Sequence, residues 1–310
     1  MLVPMRTYSL DDVYATCKRR DSWWTVYFVD PVACRAALLV GNRTNITPNA
    51  ITVFSLVLGM ASAGCLAAGQ LAAGAVLFYL SFMVDCVDGK IARLKGTGTP
   101  FGLWLDFMGD RIRELCCATG LAYGQYAATG NVDFIVLGVA VVVLDLFRYV
   151  NAPQMKRVRD AIREANAART PPSPGPHEPL PHQSFSHSPV PHQLGALTVR
   201  SHPVAAQPSR PPRSRKSRRR LLRRFNKALA RRRVRTHLIS GIEFHAAVFV
   251  IAPLLGQAAL IPVTSVISVL FVANEIFLIY RMWLFTRSYS AVPKPEKSRE
   301  HAPIGGSPNV

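Results

Sequence analysis

Charge is scarce in this chain, and one long stretch has none. Only 18% of the 310 residues are charged, and residues 44–84, a run of 41, contain no Asp, Glu, Lys or Arg. About 20 apolar residues cross a hydrocarbon core as a helix, so a run twice that long excludes an ordinary soluble domain. It begins too far from the N-terminus for a cleaved signal peptide, and the first 20 residues lack the apolar core such peptides need. The six cysteines (Cys17, Cys34, Cys65, Cys86, Cys116, Cys117) form no CxxC pair and four lie in apolar segments, which points to buried free thiols rather than a metal or disulfide framework. Acidic residues are missing from residues 210–235, where 14 Lys and Arg supply most of the formal net charge of +19.

Outside that basic window the pattern is that of a polytopic membrane protein. Six apolar segments stand out, at about residues 51–68, 71–91, 101–123, 134–149, 238–255 and 259–283. The connections after the first, third and fifth contain no Lys or Arg, whereas Arg43, Lys90, Arg93, Lys95, Lys156, the basic window and Arg287 all fall on the opposite side. Cations mark the cytoplasmic face. The expected fold is therefore all-α, with six transmembrane helices, multi-pass in the cytoplasmic membrane, and both termini in the cytoplasm. Residues 22–40 mix aromatics with Asp30 and Arg35, and the constraint that Pro31 places on Asp30 should interrupt them there. They are expected to form an N-terminal interfacial amphipathic helix, with Trp23 and Trp24 at headgroup level.

The corresponding organisation is a cytoplasmic or interfacial segment over 1–41, transmembrane helices one to four over 42–153, an insertion over 154–236, helices five and six over 237–287, and a disordered tail over 288–310. Residues 170–212 hold 12 of the 23 prolines with Ser and His, a composition that buries no core. Beyond them Leu221, Leu222, Phe225, Ala228 and Leu229 recur at helical spacing among arginines. Two readings stand for that stripe: a basic amphipathic helix on anionic membrane lipid, or a solvated charge run that enforces orientation. No nucleic-acid partner is expected, since a segment tethered to the bilayer has little access to long duplexes.

Acidic residues inside membrane helices are costly and by default functional. Four gather around the second connection, Asp85, Asp88, Asp106 and Asp110, within DCVDGKIARLKGTGTPFGLWLDFMGD. Spacings of three and four place each pair on one helix face, and a short loop makes the two helices antiparallel neighbours. Converging carboxylates in low dielectric repel one another, which divalent cations relieve, and oxygen-only ligands favour Mg²⁺ or Mn²⁺. Gly89 permits close approach beside Asp88, Arg93 suits a phosphate, and the 96–99 turn offers amides and hydroxyls. Gly102 lets the third helix approach its neighbour.

The pattern Asp85-x2-Asp88-Gly89-x2-Ala92-Arg93-x8-Gly102-x3-Asp106-x3-Asp110 resembles, at every position, the signature of the CDP-alcohol phosphotransferase (class I CDP-alcohol phosphatidyltransferase) family. The resemblance covers about residues 42–149. It implies transfer of a phospho-alcohol group from a CDP-alcohol to a polar acceptor alcohol with release of CMP, at a cytoplasm-facing site. It further implies two Mg²⁺ or Mn²⁺ ions on Asp85, Asp88, Asp106 and Asp110, Asp110 as general base, and Asn49, Thr52, Gly89, Arg93 and Thr99 around the CDP moiety. A homodimer is implied as well. Arg111, Arg148 and Arg281 are candidates to line a pocket for an anionic acceptor, and Asp145 stands three before Arg148, a spacing suited to an intrahelical pair. The block GTPFGLWLDFMGDRI looks most like the inositol-phosphate branch, and Asp30-Pro31-x3-Arg35 with Asn42-Arg43-Thr44 is similar to enzymes making di-inositol phosphate compounds. The basic cluster that phosphatidylinositol-phosphate synthases place after the fourth span is absent, and Tyr149-Val150-Asn151-Ala152 stands there. CDP-diacylglycerol and a soluble CDP-polyol are the alternative donors. From other classes, a divalent-cation transporter or an inactive scaffold for the basic segment compete. Glu243, His245 and Glu275 are intramembrane polar groups that serve either the acceptor or helix-to-helix hydrogen bonding.

Overall fold

The computed structural model describes residues 7–169, 232–235 and 239–290; the Pro-rich stretch, the Leu221–Leu229 stripe and the C-terminal tail lie outside these. Among the described residues the structure is helical and contains no strand, only one parallel bridge between Asp21 and Val234.

Local chemistry sets the helix ends. Helix α1 spans Leu10–Ala15 behind a Ser9/Asp12 capping box, and α2 spans Asp30–Arg43. Helix α3 (Pro48–Ala67) starts at Thr47, whose hydroxyl accepts from the Ala50 amide, and Pro48 fills the first turn where its missing N–H costs nothing. Helix α4 (Leu71–Lys95) ends at Gly96 in the left-handed region, and α5 (Pro100–Thr129) starts from Thr99, whose hydroxyl accepts from the Gly102 amide. Helix α6 runs over Asp133–Arg169. Helix α7, Gly241–Leu255, carries a π-turn at Ala247–Ile251, and α8 spans Gln257–Ser290.

Three of these helices are long and apolar enough to cross a membrane: Pro48–Ala67, Leu71–Lys95 and Gln257–Arg287. The other three expected spans are not among these. Helices α5 and α6 carry Asp106, Asp110, Arg111, Arg113, Glu114, Asp145 and Arg148, and α7 rises only about 22 Å at 1.5 Å per residue. The boundary expected after residue 153 falls inside α6, which continues through Pro153 to Arg169.

Helices α3, α4 and α5 pack into one unit. Ser62 Oγ donates to the Gly74 carbonyl at 2.7 Å and Ser81 Oγ to the Ser55 carbonyl at 2.6 Å. Helix α7 joins α4 through Phe78 and Phe249, centroids 4.7 Å apart, and α8 through Phe244 and Phe271, also 4.7 Å. These aromatics belong to the buried core.

The N-terminal segment departs from expectation. Residues 23–43 stay helical, with a π-turn at Thr25–Val29 leading directly into α2, so Pro31 does not interrupt the helix. Trp24 is 8% exposed and stacks on Phe28. Asp30 is buried against Lys90 of α4 at 2.9 Å, with Arg233 at 3.2 Å. Asp21 exchanges backbone hydrogen bonds with Arg233 and Arg235, which ties the end of the basic insertion to the N-terminal segment. Replacing Lys90 by Met removes the buried partner of Asp30 but leaves Arg233, so the expected cost lies below the about 3–5 kcal/mol of a buried charge left wholly unpaired. The check is a lower thermal midpoint for the detergent-solubilised protein, with the double change Lys90→Met, Asp30→Leu recovering part of the loss.

Candidate active site

A cavity of about 420 Å³ opens among α4, α5, α6, α7 and the N-terminal segment. Its polar wall is built from positions one helical turn apart on neighbouring helices. Asp85 and Asp88 of α4 meet Asp106 of α5, and one carboxylate oxygen from each lies within 4.8 Å of the others. Helix α3 holds two of these groups from behind: Thr52 donates to Asp88, and Ser55 Oγ donates to Asp85 Oδ1 at 3.1 Å.

The fourth aspartate, Asp110, lines the same cavity but stands outside the triad and accepts a hydrogen bond from Arg113. Arg113 is 2% exposed and also lies 3.7 Å from Asp85 Oδ1, so one buried guanidinium spans the two ends of the acidic cluster. Of the five cations in residues 85–113, Arg113 alone pairs with the motif aspartates among the described residues; Lys90 is taken by Asp30, Arg111 by Glu114 and Asp145, and Arg93 Nε and Lys95 Nζ donate to the Thr16 and Thr44 carbonyls.

The glycines of the motif are packed by its other members. A Cβ on Gly102 would stand 2.6 Å from Asn49 Oδ1 and 3.1 Å from Thr99 Oγ1, so Asn49, Thr99 and Gly102 meet at one point. A Cβ on Gly89 would meet the Arg93 guanidinium at 3.4 Å, and both residues line the cavity. Asn49, Thr52 and Thr99 support this wall and are not among its lining residues.

Deeper along α5 the polar groups form a second cluster. Arg111 pairs with Glu114 and with Asp145 of α6, and its guanidinium lies 3.2 Å from the Tyr149 ring centroid. His245 of α7 bridges the same carboxylates, Nδ1 to Glu114 Oε1 at 2.8 Å and Nε2 to Asp145 Oδ1 at 3.0 Å. Arg148 pairs with Glu275 of α8, whose other oxygen accepts from Asn151 Nδ2 at 3.1 Å. The Asp145–Arg148 pair expected from spacing is therefore replaced by two interhelical pairs, because stronger-placed partners on α5 and α8 reach each residue. Arg281 does not join the site: it is exposed on α8 over the Phe277 ring, outside the cavity lining. Glu243 serves the local fold, closing a capping box with Ser240 and accepting from the Trp23 amide at 3.1 Å.

Sequence reasoning did not single out Ser55, Glu114 or Tyr149. Glu114 carried a usable signal, an acidic residue one turn beyond Asp110 in an apolar helix. Ser55 carried none, since a serine in an apolar helix is unremarkable by itself. The cysteines are all free thiols, as their spacing suggested, with Cys17 and Cys34 Sγ atoms 3.7 Å apart beside the cavity.

The fold and the acidic cluster on its cavity define a helical protein with a candidate metal-binding site, and sequence comparison narrows this further. Residues 45–168, less than half of the chain, match the family described as CDP-alcohol phosphatidyltransferase. The chain is 40% identical over 76 residues to the bifunctional IPC transferase and DIPP synthase of Aquifex aeolicus, covering 24% of this chain and 18% of that protein. It is 30% identical over 112 residues to the phosphatidylinositol phosphate synthase of Mycobacteroides abscessus, covering 36% and 51%. It is 31% identical over 99 residues to the archaetidylinositol phosphate synthase of Methanothermobacter thermautotrophicus, covering 32% and 47%. The matches thus span between about a fifth and a half of these relatives' lengths.

Proposed function

We propose that this protein transfers a substituted phosphoryl group from a CDP-alcohol, CDP-diacylglycerol as the leading donor, to the hydroxyl of a polar acceptor in phospholipid biosynthesis, with release of CMP. The observation that carries this reading is the convergence of Asp85, Asp88 and Asp106 within 4.8 Å on a cavity that Asp110 also lines. Three relatives bearing transferase or synthase names share the region.

The donor set fits a hard divalent cation: carboxylates only and crowded, with hydroxyl donors behind Asp85 and Asp88 and one cation, Arg113, at the Asp110 end. Asp85, Asp88, Asp106 and Asp110 would hold two ions, Mg²⁺ or Mn²⁺, whose chemistry when bound is to neutralise the pyrophosphate and the charge on departing CMP. The remaining work falls to the chain itself. Arg93 and the open face at Gly89 receive the nucleotide phosphates, while Asn49, Thr52 and Thr99 hold the wall that orients them. Asp110 takes the proton from the acceptor hydroxyl as its oxygen bonds to the donor's β-phosphorus and the pyrophosphate P–O bond breaks. Arg113 fixes the Asp110 carboxylate for that role. The acceptor approaches from the Arg111/Arg148 end. Six membrane-crossing helices, cytoplasmic termini and a cytoplasm-facing site complete the proposal, with a homodimer as the assembly.

The test is CMP release by purified protein in nanodiscs, with CDP-diacylglycerol or a soluble CDP-polyol as donor and a panel of polyols and their phosphates as acceptors. CMP is expected with Mg²⁺ or Mn²⁺, to be lost on chelation with EDTA and restored by readdition. No CMP in any arm, together with metal uptake into liposomes, would replace the transferase by a cation transporter.

A further inference from the structure

The second polar cluster, read on the basis of the phosphotransfer proposed above, specifies the acceptor's charge. It contains three cationic side chains, Arg111, Arg148 and His245, and three carboxylates, Glu114, Asp145 and Glu275, and every cation already faces a carboxylate. His245 meets a carboxylate oxygen at each ring nitrogen, so the ring serves as donor on both sides. Glu114 and Asp145 are each 7% exposed and Glu275 is 2% exposed, so none of the three is screened by water. All but Glu275 line the cavity, and Glu114 lies two turns along α5 from Asp106, about 12 Å at 1.5 Å per residue.

We propose that this end of the cavity binds an uncharged polyhydroxyl acceptor, and that Glu275 sets this preference by neutralising Arg148. A phosphate monoester entering here would add negative charge beside three buried carboxylates. To bind it, Arg148 would have to turn from Glu275 and leave that carboxylate buried without a counter-charge, the costliest way to open a buried pair. Hydroxyl groups meet no such obstacle. Each both donates and accepts, so a polyol takes hydrogen bonds from the guanidiniums and gives them to the carboxylates without disturbing the balance. A site whose polar groups are matched to hydroxyls discriminates strongly against a ligand that leaves them unpaired. Arg93, by contrast, is bonded to a backbone carbonyl rather than a carboxylate and stands beside the aspartates, where the donor's phosphates belong.

The deciding experiment measures kcat/KM for CMP release with glycerol, myo-inositol and sorbitol against their monophosphates, in wild type and Glu275→Gln. In wild type the neutral acceptors should exceed their monophosphates at least tenfold. Glu275→Gln frees Arg148, and should shift the ratio toward the monophosphates at least tenfold, mainly through a lower KM for the phosphate. Equilibrium binding of tritiated myo-inositol and of ³²P-labelled inorganic phosphate to the wild-type protein with CMP and Mg²⁺ provides a measure independent of that variant's stability. Inositol should bind and phosphate should leave it undisplaced. A wild-type preference for monophosphates, displacement of inositol by phosphate, or an unchanged ratio in a folded Glu275→Gln protein overturns the inference while leaving phosphotransfer intact. Absence of CMP in every arm overturns phosphotransfer itself, and this acceptor assignment with it.

Discussion

Asp88→Asn should reduce CMP release by roughly 10²–10³-fold or more, the scale seen when a group that stabilises transition-state charge is removed. Asp88 is central to the triad: it shares the 4.8 Å cluster with Asp85 and Asp106 and is held by Thr52 from α3. The same change should raise the thermal midpoint of the metal-free protein, because it removes one of several like charges crowded on α4 and α5. Adding Mg²⁺ should then stabilise wild type much more than the variant, since a ligand stabilises by its affinity for the folded state. Thr52→Val, which withdraws only the hydroxyl behind Asp88, should cost about 10–100-fold, in the range of groups that orient a metal's ligands. If Asp88→Asn retains near-wild-type turnover with every donor, the acidic triad is not the catalytic centre. Equal stabilisation of both proteins by Mg²⁺ would remove the triad as the metal site.

Gly124→Val should be the most damaging change outside the cavity. A Cβ on Gly124 would stand 2.2 Å from the Leu66 carbonyl oxygen and 2.8 Å from that of Ala67, and one on Gly120 would stand 2.5 Å from the Ala63 carbonyl oxygen. These obstacles are backbone atoms, which cannot rotate away, so α3 and α5 would have to part by roughly 1 Å or more to regain ordinary contact. Overpacking of this kind costs about 1–3 kcal/mol or more. The consequence reaches the site, because α3 carries Asn49, Thr52 and Ser55, which brace Gly102, Asp88 and Asp85. A markedly lower thermal midpoint, with activity falling below what the unfolded fraction explains, is expected. Gly64→Ala provides the control, since a Cβ there meets nothing within 4 Å and alanine favours the helix. Equal stability of the two variants would mean that α3 and α5 do not pack through this seam.

Much of the site was legible along the chain. The aspartate spacing placed Asp85 and Asp88 on one face of α4, and Asp106 and Asp110 on one face of α5, because helical periodicity is a local property. Gly102 was correctly read as a point of close approach, although its neighbour, Asn49, emerged only from the packing of α3 against α5. The partners of the arginines were not legible. Arg148 has Asp145 three residues away yet pairs with Glu275, and Asp145 pairs with Arg111 and His245. An i,i+3 spacing is only one of several geometries available to a long side chain, and in a buried interior the better-placed opposite charge on a neighbouring helix prevails.

The sequence by itself determined the helical class, the long uncharged run, the acidic motif and the capping residues that begin α3 and α5. Each of these depends on residues within a turn or two of one another, where backbone geometry dictates the outcome. Tertiary structure alone decided that Asp110 stands with Arg113 apart from the triad, that Arg281 faces away, and that three carboxylates neutralise the deep end of the cavity. Those outcomes depend on which helix faces meet, and burial makes the resulting charge pairs strong enough to override local spacing.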